Sequence, residues 1–301
     1  MEYQIITDSS CDLSAETVKE KHLHVVPFYI SFDEENYFKE NEEIQVHEFY
    51  QKMVDNPDVF PKTSLPSVED YMDAFMPYVK NGIDIICICI TTKFSGSYNS
   101  ASTAKDIILE DYPQRKITVI DATVNTVLQG ILVLEAVRMK ENGLDYGQVI
   151  EGIQRIKATG RIIFTVGNMD YLIHGGRVGK VMKVAVNALK IRPLIVLKEG
   201  EIFPFGVARS RHKSIQKIID KTKAHFEELK ESPDNYKIVI GYGYDYKEAV
   251  AFREELLKSL RSYSNITDVE IFQIGAMIGV HTGPHPLGIG LIRKYDSSVR
   301  L

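Results

Sequence analysis

Small polar residues form the turn that follows the apolar run Ile83–Ile90, and Ser95, Gly96 and Ser97 stand where a helix should begin. The apolar run predicts a strand buried on both faces of a parallel sheet, and such sheets bind ligands beyond the carboxyl ends of their strands. A helix N-terminus there offers unpaired N–H groups and the positive end of the dipole, which favour a carboxylate or phosphate. Ser95 would add a hydroxyl and Gly96 a close backbone approach. Helix capping by Ser95 and Ser97 explains the same residues equally well.

Two further polar turns could face the same edge of the sheet. Thr63 and Ser64 precede Leu65-Pro66, where proline keeps the backbone extended, and Ser67 is a helix cap. Asp8-Ser9-Ser10 ends the first predicted strand, and turn formation is the commoner role of such residues. Neither turn alone distinguishes binding from a structural role.

A segment rich in glycine and proline, 275–288, contains His281 and His285. Its composition predicts a specific loop path rather than a helix. The two histidines are four residues apart, but Gly283 and Pro284 intervene and no acidic or cysteine ligand is close in sequence, so we expect no metal site. Contact between His281 and an anion is one interpretation, and a structural histidine is the other.

The motifs of common enzyme classes are broken or absent. His174-Gly175-Gly176 resembles a phosphate loop and an esterase oxyanion loop, but His174 replaces the first Walker glycine and Val181 replaces Ser or Thr. No G-x-S-x-G elbow occurs in the chain. A small-molecule hydrolase or phosphotransferase that uses Ser95 and His281 remains the alternative function.

The composition is that of a globular protein long enough for two domains, with 44% hydrophobic and 26% charged residues in 301. A net charge of −5 argues against a dedicated nucleic-acid binder. Three cysteines, at 11, 87 and 89, and an N-terminus without a signal peptide predict reduced thiols and a cytoplasmic location. We expect no membrane span, because no apolar stretch approaches about 20 residues.

Charge is distributed unevenly along the chain. Residues 171–217 contain ten Lys or Arg and two Glu, a local charge of +8. A solvated helix face explains part of this excess. A docking patch for an acidic protein partner is the sharper hypothesis.

Strands and helices alternate in the first half, which predicts crossover connections and a parallel sheet. The second half contains a hairpin and clustered helices, which predict an α+β domain with a mixed or antiparallel sheet. We place the boundary near residue 157, giving an N-terminal α/β domain over 1–157 and a C-terminal α+β domain over 158–301. In the first half the predicted strands are 3–7, 24–32, 83–90 and 116–120, and the predicted helices are 15–21, 46–54, 67–79, 97–111 and 130–140. In the second half the predicted strands are 194–198, 201–205, 238–242, 269–274 and 287–295, and the predicted helices are 180–190, 213–230 and 247–260.

Several of these motifs occur together in the order seen in the DegV family, which the chain resembles over nearly its whole length. They are Thr7-Asp8-Ser9 with Asp12-Leu13, Thr63-Ser64-Leu65-Pro66-Ser67, Ser95-Gly96-Ser97-Tyr98-Asn99-Ser100-Ala101, Leu172 with Gly175-Gly176-Arg177, and Ile278-Gly279-Val280-His281-Thr282-Gly283-Pro284. The resemblance implies a non-enzymatic lipid-binding protein without a cofactor. Such a protein holds one long-chain fatty acid, such as palmitate, between its two domains.

The resemblance also implies residue roles. The fatty-acid carboxylate is expected to contact Thr63, Ser95 with the Gly96 amide, and His281. Some family members carry the acyl group for a bacterial fatty-acid kinase, and Arg177 and Arg209 match basic positions near that kinase. No nucleic-acid partner is implied.

The chain departs from the family pattern at a few positions. Ala122 and Leu128 replace smaller or polar residues after the strand at 116–120, and His285-Pro286 stands where Gly-Ala is common. Bulky Leu128 is expected to shorten or reshape the acyl tunnel. These departures concern the preferred chain length rather than the fold.

Overall fold

The computed structural model describes residues 2–181 and 191–296. The helix predicted at 180–190 therefore lies, beyond its first two residues, outside the described residues. The strands are β1 Tyr3–Asp8, β2 His24–Val26, β3 Tyr29–Ser31, β4 Phe38–Lys39, β5 Lys62–Ser64, β6 Asp84–Cys89, β7 Ile117–Asp121, β8 Arg161–Thr165, β9 Arg192–Lys198, β10 Glu201–Ala208, β11 Tyr236–Tyr242, β12 Glu270–Gln273 and β13 Leu287–Arg293. The α-helices are α1 Ala15–Glu20, α2 Val46–Asp55, α3 Val68–Lys80, α4 Ser97–Asp111, α5 Thr126–Glu141, α6 Tyr146–Lys157, α7 Asp170–His174, α8 Arg211–Leu229, α9 Tyr246–Leu260 and α10 Ala276–Thr282.

The first half of the chain forms the expected parallel sheet, in the order β2-β1-β6-β7. Every residue of β6 is buried, in agreement with its continuous apolar sequence. The carboxyl ends of β1, β6 and β7 meet at one edge. The turns at that edge lead into a short 3₁₀ helix after β1, into α4 after β6 and into α5 after β7.

The second half forms a six-stranded sheet in the order β10-β9-β8-β13-β11-β12. Its pairs are antiparallel except β11 with β12. The predicted β9–β10 hairpin is present, and Glu199 and Gly200 both have positive φ at its tip, as in a type I′ turn. The fold class of a parallel α/β sheet plus a mixed sheet is therefore confirmed.

The single strand predicted at 24–32 is wrong. Pro27 divides it, because proline fixes φ and has no N–H to donate to a sheet. β2 before it joins the parallel sheet, and β3 after it joins a third sheet in the order β4-β3-β5. Thr63 lies on β5 opposite Ile30 of β3, so this small sheet positions a predicted site residue.

The loop path predicted around His281 is also wrong, because residues Ala276–Thr282 form helix α10. Gly279 marks close packing rather than a loop: a Cβ there would lie 2.6 Å from Phe49 Cε1 and 2.9 Å from the Tyr50 hydroxyl. The helix ends at Gly283, whose φ of +74° suits glycine. His281 therefore lies in the last turn of a helix packed against α2.

Helix α5 lies at the centre of the molecule. It begins at Thr126, four residues earlier than predicted, and it contacts β1, β11 and β13. Twelve of its sixteen residues are buried, so it lacks the amphipathic pattern of a surface helix. Cβ atoms at Gly241 and Gly290 would lie 3.2 and 3.4 Å from Val127, so these two glycines let the second sheet approach the helix closely.

Candidate functional site

A cavity of about 210 Å³ opens between the carboxyl edge of the parallel sheet and the six-stranded sheet. Its walls come from both halves of the chain. They are mostly apolar and include Ile162, Phe164, Leu197, Ile202, Ile274 and Ile278. Such a space suits a hydrocarbon chain, whose burial is favourable at about 0.8 kcal/mol per CH₂ group.

Three of the four residues predicted to contact a carboxylate line this cavity. Thr63 reaches it from β5, Ser95 from the turn after β6, and His281 from α10. The Thr63 hydroxyl and His281 Nε2 are 3.4 Å apart, although 218 residues separate them in sequence. Gly96 is not part of the cavity wall, but it directly follows Ser95 and packs beside the cavity-lining Leu65.

The turn at Ser95 leaves polar groups available for a ligand. Gly96 is the N-cap of α4, and its N–H donates to no acceptor within the described residues. The Ser97 N–H donates to Ser95 Oγ at 3.2 Å, which leaves the Ser95 hydroxyl proton free to donate. Ser97 is fully buried and its hydroxyl donates to Asp8 at 2.7 Å. Ser97 is therefore structural, whereas Ser95 accepts from the first N–H of α4 and also lines the cavity.

His281 is held as a neutral imidazole. Burial lowers the pKa of His281 to about 4, and the nearby charges of Arg177 and Lys62 act in the same direction. Its Nδ1 has no hydrogen-bond partner and lies against Gly175, where a Cβ would be only 2.2 Å away. The glycine at 175 is thus required by the histidine ring, and Nε2 is the nitrogen that faces Thr63.

Arg177 lies at the rim of the cavity. Its side chain is exposed, and it donates to the Gly175 carbonyl at 2.8 Å and to the Phe94 carbonyl at 3.2 Å. It therefore connects the turn before Ser95 to the loop that follows α7. Both partners are carbonyl groups, and no carboxylate of the described residues pairs with the guanidinium.

Fewer basic side chains of segment 171–217 are free to contact a partner than the sequence suggests. Lys180 pairs with Glu201 at 2.5 Å, and Arg211 forms a bidentate pair with Glu248. Arg209 is exposed, does not line the cavity, and makes no hydrogen bond or ion pair within the parts of the chain that the structure describes. Lys183 and Lys190 lie outside the described residues.

One polar residue of the cavity was missed by the sequence analysis. Asn125, the N-cap of α5, is 9% exposed and lines the cavity. The signal for it was an Asn before an apolar helix, which is a common N-cap. It was overlooked because the predicted helix began only at residue 130.

His281 and His285 do not face the same space. His285 lines a separate cavity beside Gly167 and Arg192. Across 2–181 and 191–296 no cluster of three or more His, Cys, Asp or Glu side chains is arranged to hold a metal ion. Within the same ranges no helix has the length and apolar character needed to cross a membrane.

Comparison with known proteins places these features in one family. The model of the DegV family, whose description is that of uncharacterised proteins, matches residues 2–294. A fatty acid-binding protein of Thermotoga maritima is 30% identical over 296 residues, covering 97% of this chain and 98% of that protein. A DegV domain-containing protein of Clostridium perfringens is 29% identical over 294 residues, covering 98% of this chain and 100% of the relative.

Solved structures show the same architecture. A stearic acid-binding protein from Eubacterium ventriosum superposes with a TM-score of 0.92 at 44% identity, over 97% of this chain and 99% of that one. A fatty-acid-binding DegV protein from Thermus thermophilus gives a TM-score of 0.86 at 27% identity, over 97% and 100% of the two chains. With a family match over nearly its whole length and relatives aligned end to end, this chain belongs to the DegV family.

Proposed function

We propose that this protein binds one long-chain fatty acid, such as palmitate, in the cavity between the two sheets. The observation that carries the proposal is that Thr63, Ser95 and His281, from three distant segments, line one mostly apolar cavity, with the Thr63 hydroxyl 3.4 Å from His281 Nε2. The stearic acid-binding protein from Eubacterium ventriosum, at 44% identity, supports this ligand class.

In this proposal the carboxylate accepts hydrogen bonds from the Thr63 and Ser95 hydroxyls, the Gly96 N–H and His281 Nε2. All four donors are neutral, because His281 is uncharged above a pKa of about 4. Each neutral hydrogen bond contributes about 0.5–1.5 kcal/mol, whereas each buried CH₂ contributes about 0.8 kcal/mol. A tail of many CH₂ groups therefore supplies most of the affinity, and the polar end fixes the orientation of the ligand.

The proposal also includes the division of the chain. We assign residues 1–157 to an N-terminal α/β domain and 158–301 to a C-terminal α+β domain, with the ligand between them. Both assignments agree with a cavity whose walls come from Ser95 and Phe28 on one side and Phe164 and Leu287 on the other. The three free, buried cysteines support a cytoplasmic location.

Mass spectrometry of a solvent extract from the denatured, purified protein tests the ligand class. We expect about one fatty acid per chain, or stoichiometric uptake of added palmitate after delipidation. Failure of the delipidated, folded protein to take up palmitate or stearate would refute the proposal.

A non-enzymatic role fits the geometry better than the hydrolase alternative. His281 Nε2 faces the Thr63 hydroxyl, and Ser95 Oγ accepts from the Ser97 N–H, so the two side chains do not form a nucleophile–base pair. Hydrolysis of a p-nitrophenyl acyl ester by the wild type, lost in Ser95→Ala, would favour the alternative.

We further propose that Arg177 and Arg209 contact an acidic partner, a fatty-acid kinase subunit, near the carboxylate end. Arg177 lies at the cavity rim with carbonyl partners only, and Arg209 is exposed; within the described ranges neither arginine pairs with a carboxylate. Arg177→Glu with Arg209→Glu should slow acyl phosphorylation by such a kinase in a salt-dependent manner. Lys237→Glu, at an exposed lysine of β11, is the matched control. Full phosphorylation of the double variant would refute the docking role.

A further inference from the structure

A second cavity, of about 280 Å³, shares only Thr282 with the described wall of the first cavity. Its wall comes from the end of α2, the turn between β8 and α7, the start of β9 and the turn between α10 and β13. No described residue of this wall is acidic, whereas Arg192, His285 and Asn168 all carry N–H donors. This donor set is suited to an anion.

Arg192 is fixed at this wall with part of its guanidinium unused. Its Nη1 donates to the carbonyl of Gly167 at 3.0 Å, and Gly167 itself lines the cavity. Its Nε and Nη2 make no hydrogen bond or ion pair with any described residue, and neither nitrogen is buried. These two nitrogens form the edge of a guanidinium that binds a carboxylate or a phosphate through two parallel hydrogen bonds.

The neighbouring Arg211 has the same edge occupied. Its Nε and Nη2 donate to the two carboxylate oxygens of Glu248 at 2.6 and 2.5 Å. Glu248 is therefore committed to Arg211, and within the described ranges no carboxylate oxygen lies within 4 Å of an Arg192 nitrogen. Burial lowers the pKa of Arg192, and the charge of Arg211 lowers it further against the opposing effect of Glu248. A bound anion would stabilise the charged guanidinium.

His285 and Asn168 add donors from two other segments of the chain. A Cβ at Gly167 would lie 3.2 Å from the Cβ of His285, so His285 and the Arg192 guanidinium are both neighbours of the same glycine. His285 is exposed, and its ring nitrogens have no hydrogen-bond partner among the described residues. Asn168 Oδ1 accepts from the Asp170 N–H at 3.1 Å, which leaves the NH₂ group of Asn168 free to donate.

The charges around His285 predict how its ring responds to an anion. Burial lowers the pKa of His285, and Arg211 and Arg192 act in the same direction. Glu248 and Asp245 act in the opposite direction without reversing the shift. The ring is therefore neutral at pH 7 and offers one N–H donor. A phosphate dianion beside it should raise its pKa, because a nearby negative charge favours the imidazolium.

The number of donors distinguishes between classes of anion. A carboxylate has two oxygens, which the free edge of Arg192 alone would occupy. A phosphate monoester has three terminal oxygens, so it can also accept from His285 and Asn168. Part of the remaining wall is apolar and suits the organic part of such a ligand: Met53, Val54 and Pro57.

We propose that this second cavity binds a small phosphorylated molecule. Arg192 holds two oxygens of the phosphate, His285 and Asn168 donate to the phosphate group, and the organic part packs against the end of α2. The site is separate from the cavity of the proposed fatty-acid function, and the inference does not depend on that function.

NMR titration of the purified, ¹⁵N-labelled protein with phenyl phosphate tests the proposal. We expect saturable shifts of the Gly167 N–H and the His285 ring, and a raised pKa of that ring. Arg192→Met removes the two-nitrogen edge and should weaken binding about tenfold or more, and His285→Ala should weaken it severalfold. Arg261→Met makes the same substitution at an exposed arginine that lines neither cavity, and this control should bind like the wild type.

The absence of saturable shifts up to about 10 mM phenyl phosphate would overturn the proposal. Wild-type affinity in Arg192→Met or, if that variant does not fold, in His285→Ala would do the same. Two further ligands test the class. Benzoate that binds as tightly as phenyl phosphate would contradict the choice of phosphate over carboxylate, and inorganic phosphate that binds as tightly would contradict the role of the apolar wall.

Discussion

The turns after β1 and β6 leave neighbouring strands at the same edge of the parallel sheet, yet their polar groups differ in hydrogen bonding. In the first turn, Asp8 is fully buried and accepts four hydrogen bonds at 2.6–2.9 Å. The donors are the Ser10 hydroxyl, the Ile90 N–H, the Ser97 hydroxyl and the Gln129 amide. This turn is closed, and its polar groups hold the sheet edge together.

The second turn is open. Ser95 lines the cavity, and the Gly96 N–H has no acceptor in the described structure. Both turns contain small polar residues, so composition does not separate them. What distinguishes the two turns is hydrogen bonding to residues distant in sequence: Gln129, which donates to Asp8, lies 121 residues from it. We propose a binding role for the second turn, where no such partner is present among the described residues.

The largest effect that tests this comparison is on stability. Asp8→Ala removes the acceptor of several buried donors, each costing about 1–3 kcal/mol when unpaired, so we expect a loss of 3 kcal/mol or more. Ser95→Ala should lower the free energy of unfolding by less than about 1 kcal/mol. Urea unfolding of both variants measures the difference. Equal losses would show that the two turns do not differ in the way described.

Glu40 connects the first turn to helix α10 and gives the next largest effect. It accepts from the Ser9 hydroxyl at 2.5 Å and from the Met277 N–H at 3.0 Å, at the start of the helix that carries His281. Glu40→Gln leaves one of these donors without an acceptor and should cost about 1–3 kcal/mol. Palmitate affinity should also fall, because α10 positions His281. A variant with unchanged stability and affinity would exclude this positioning role.

Glu40 also predicts a pH dependence. Burial raises the pKa of Glu40 from 4.5 to about 7, and the neighbouring carboxyl groups of Asp8 and Asp12 are buried as well. Because the unfolded chain loses its proton first, the Glu40 contribution to stability falls as pH rises from 4.5 to 7. The raised pKa of Asp12 acts in the same direction. Unfolding free energies measured across this range should therefore fall less steeply in Glu40→Gln than in the wild type, and equal slopes would contradict the assignment.

A smaller effect is expected on binding. Ser95→Ala or His281→Ala each removes one neutral hydrogen bond, about 0.5–1.5 kcal/mol, so palmitate should bind about 2- to 13-fold more weakly. Ser264→Ala, at a serine that does not line the cavity, should leave the affinity unchanged. Calorimetric titration of the delipidated variants provides the measurement, and wild-type affinity in both site variants would place the carboxylate elsewhere.

The smallest predicted effect is a shift in the pKa of His281 on ligand binding. The pKa of His281 is about 4 without a ligand, and a bound carboxylate should raise it, because a nearby negative charge favours the imidazolium. NMR titration of the His281 ring in the free and palmitate-bound protein measures this shift. An unchanged pKa would show that the carboxylate does not approach the ring.

Regular patterns in the sequence predicted most of the fold. The apolar run of β6 and the alternation of strands and helices in the first half predicted the parallel sheet, and Glu199-Gly200 predicted the β9–β10 hairpin. These patterns could be read because they depend on neighbours in sequence. Helix α10 was missed because Gly279 is explained only by contact with Phe49 and Tyr50.

The sequence identified the candidate site residues but did not show that they lie together. Thr63, Ser95 and His281 were candidates from their turns and from the family resemblance. Their convergence on one cavity depends on packing across the two sheets. Asn125 could not be chosen, since an asparagine that merely caps a helix and an asparagine that also lines a cavity have the same sequence signal.

A crystal structure of the delipidated protein reloaded with palmitate tests the central claim most directly. The account predicts the carboxylate within about 2.6–3.2 Å of Thr63 Oγ1, Ser95 Oγ and the Gly96 nitrogen, with His281 Nε2 beside it. The tail should run between the two sheets along Ile162 and Leu197. A carboxylate at the opposite end of the cavity, or a fatty acid bound outside it, would contradict the account.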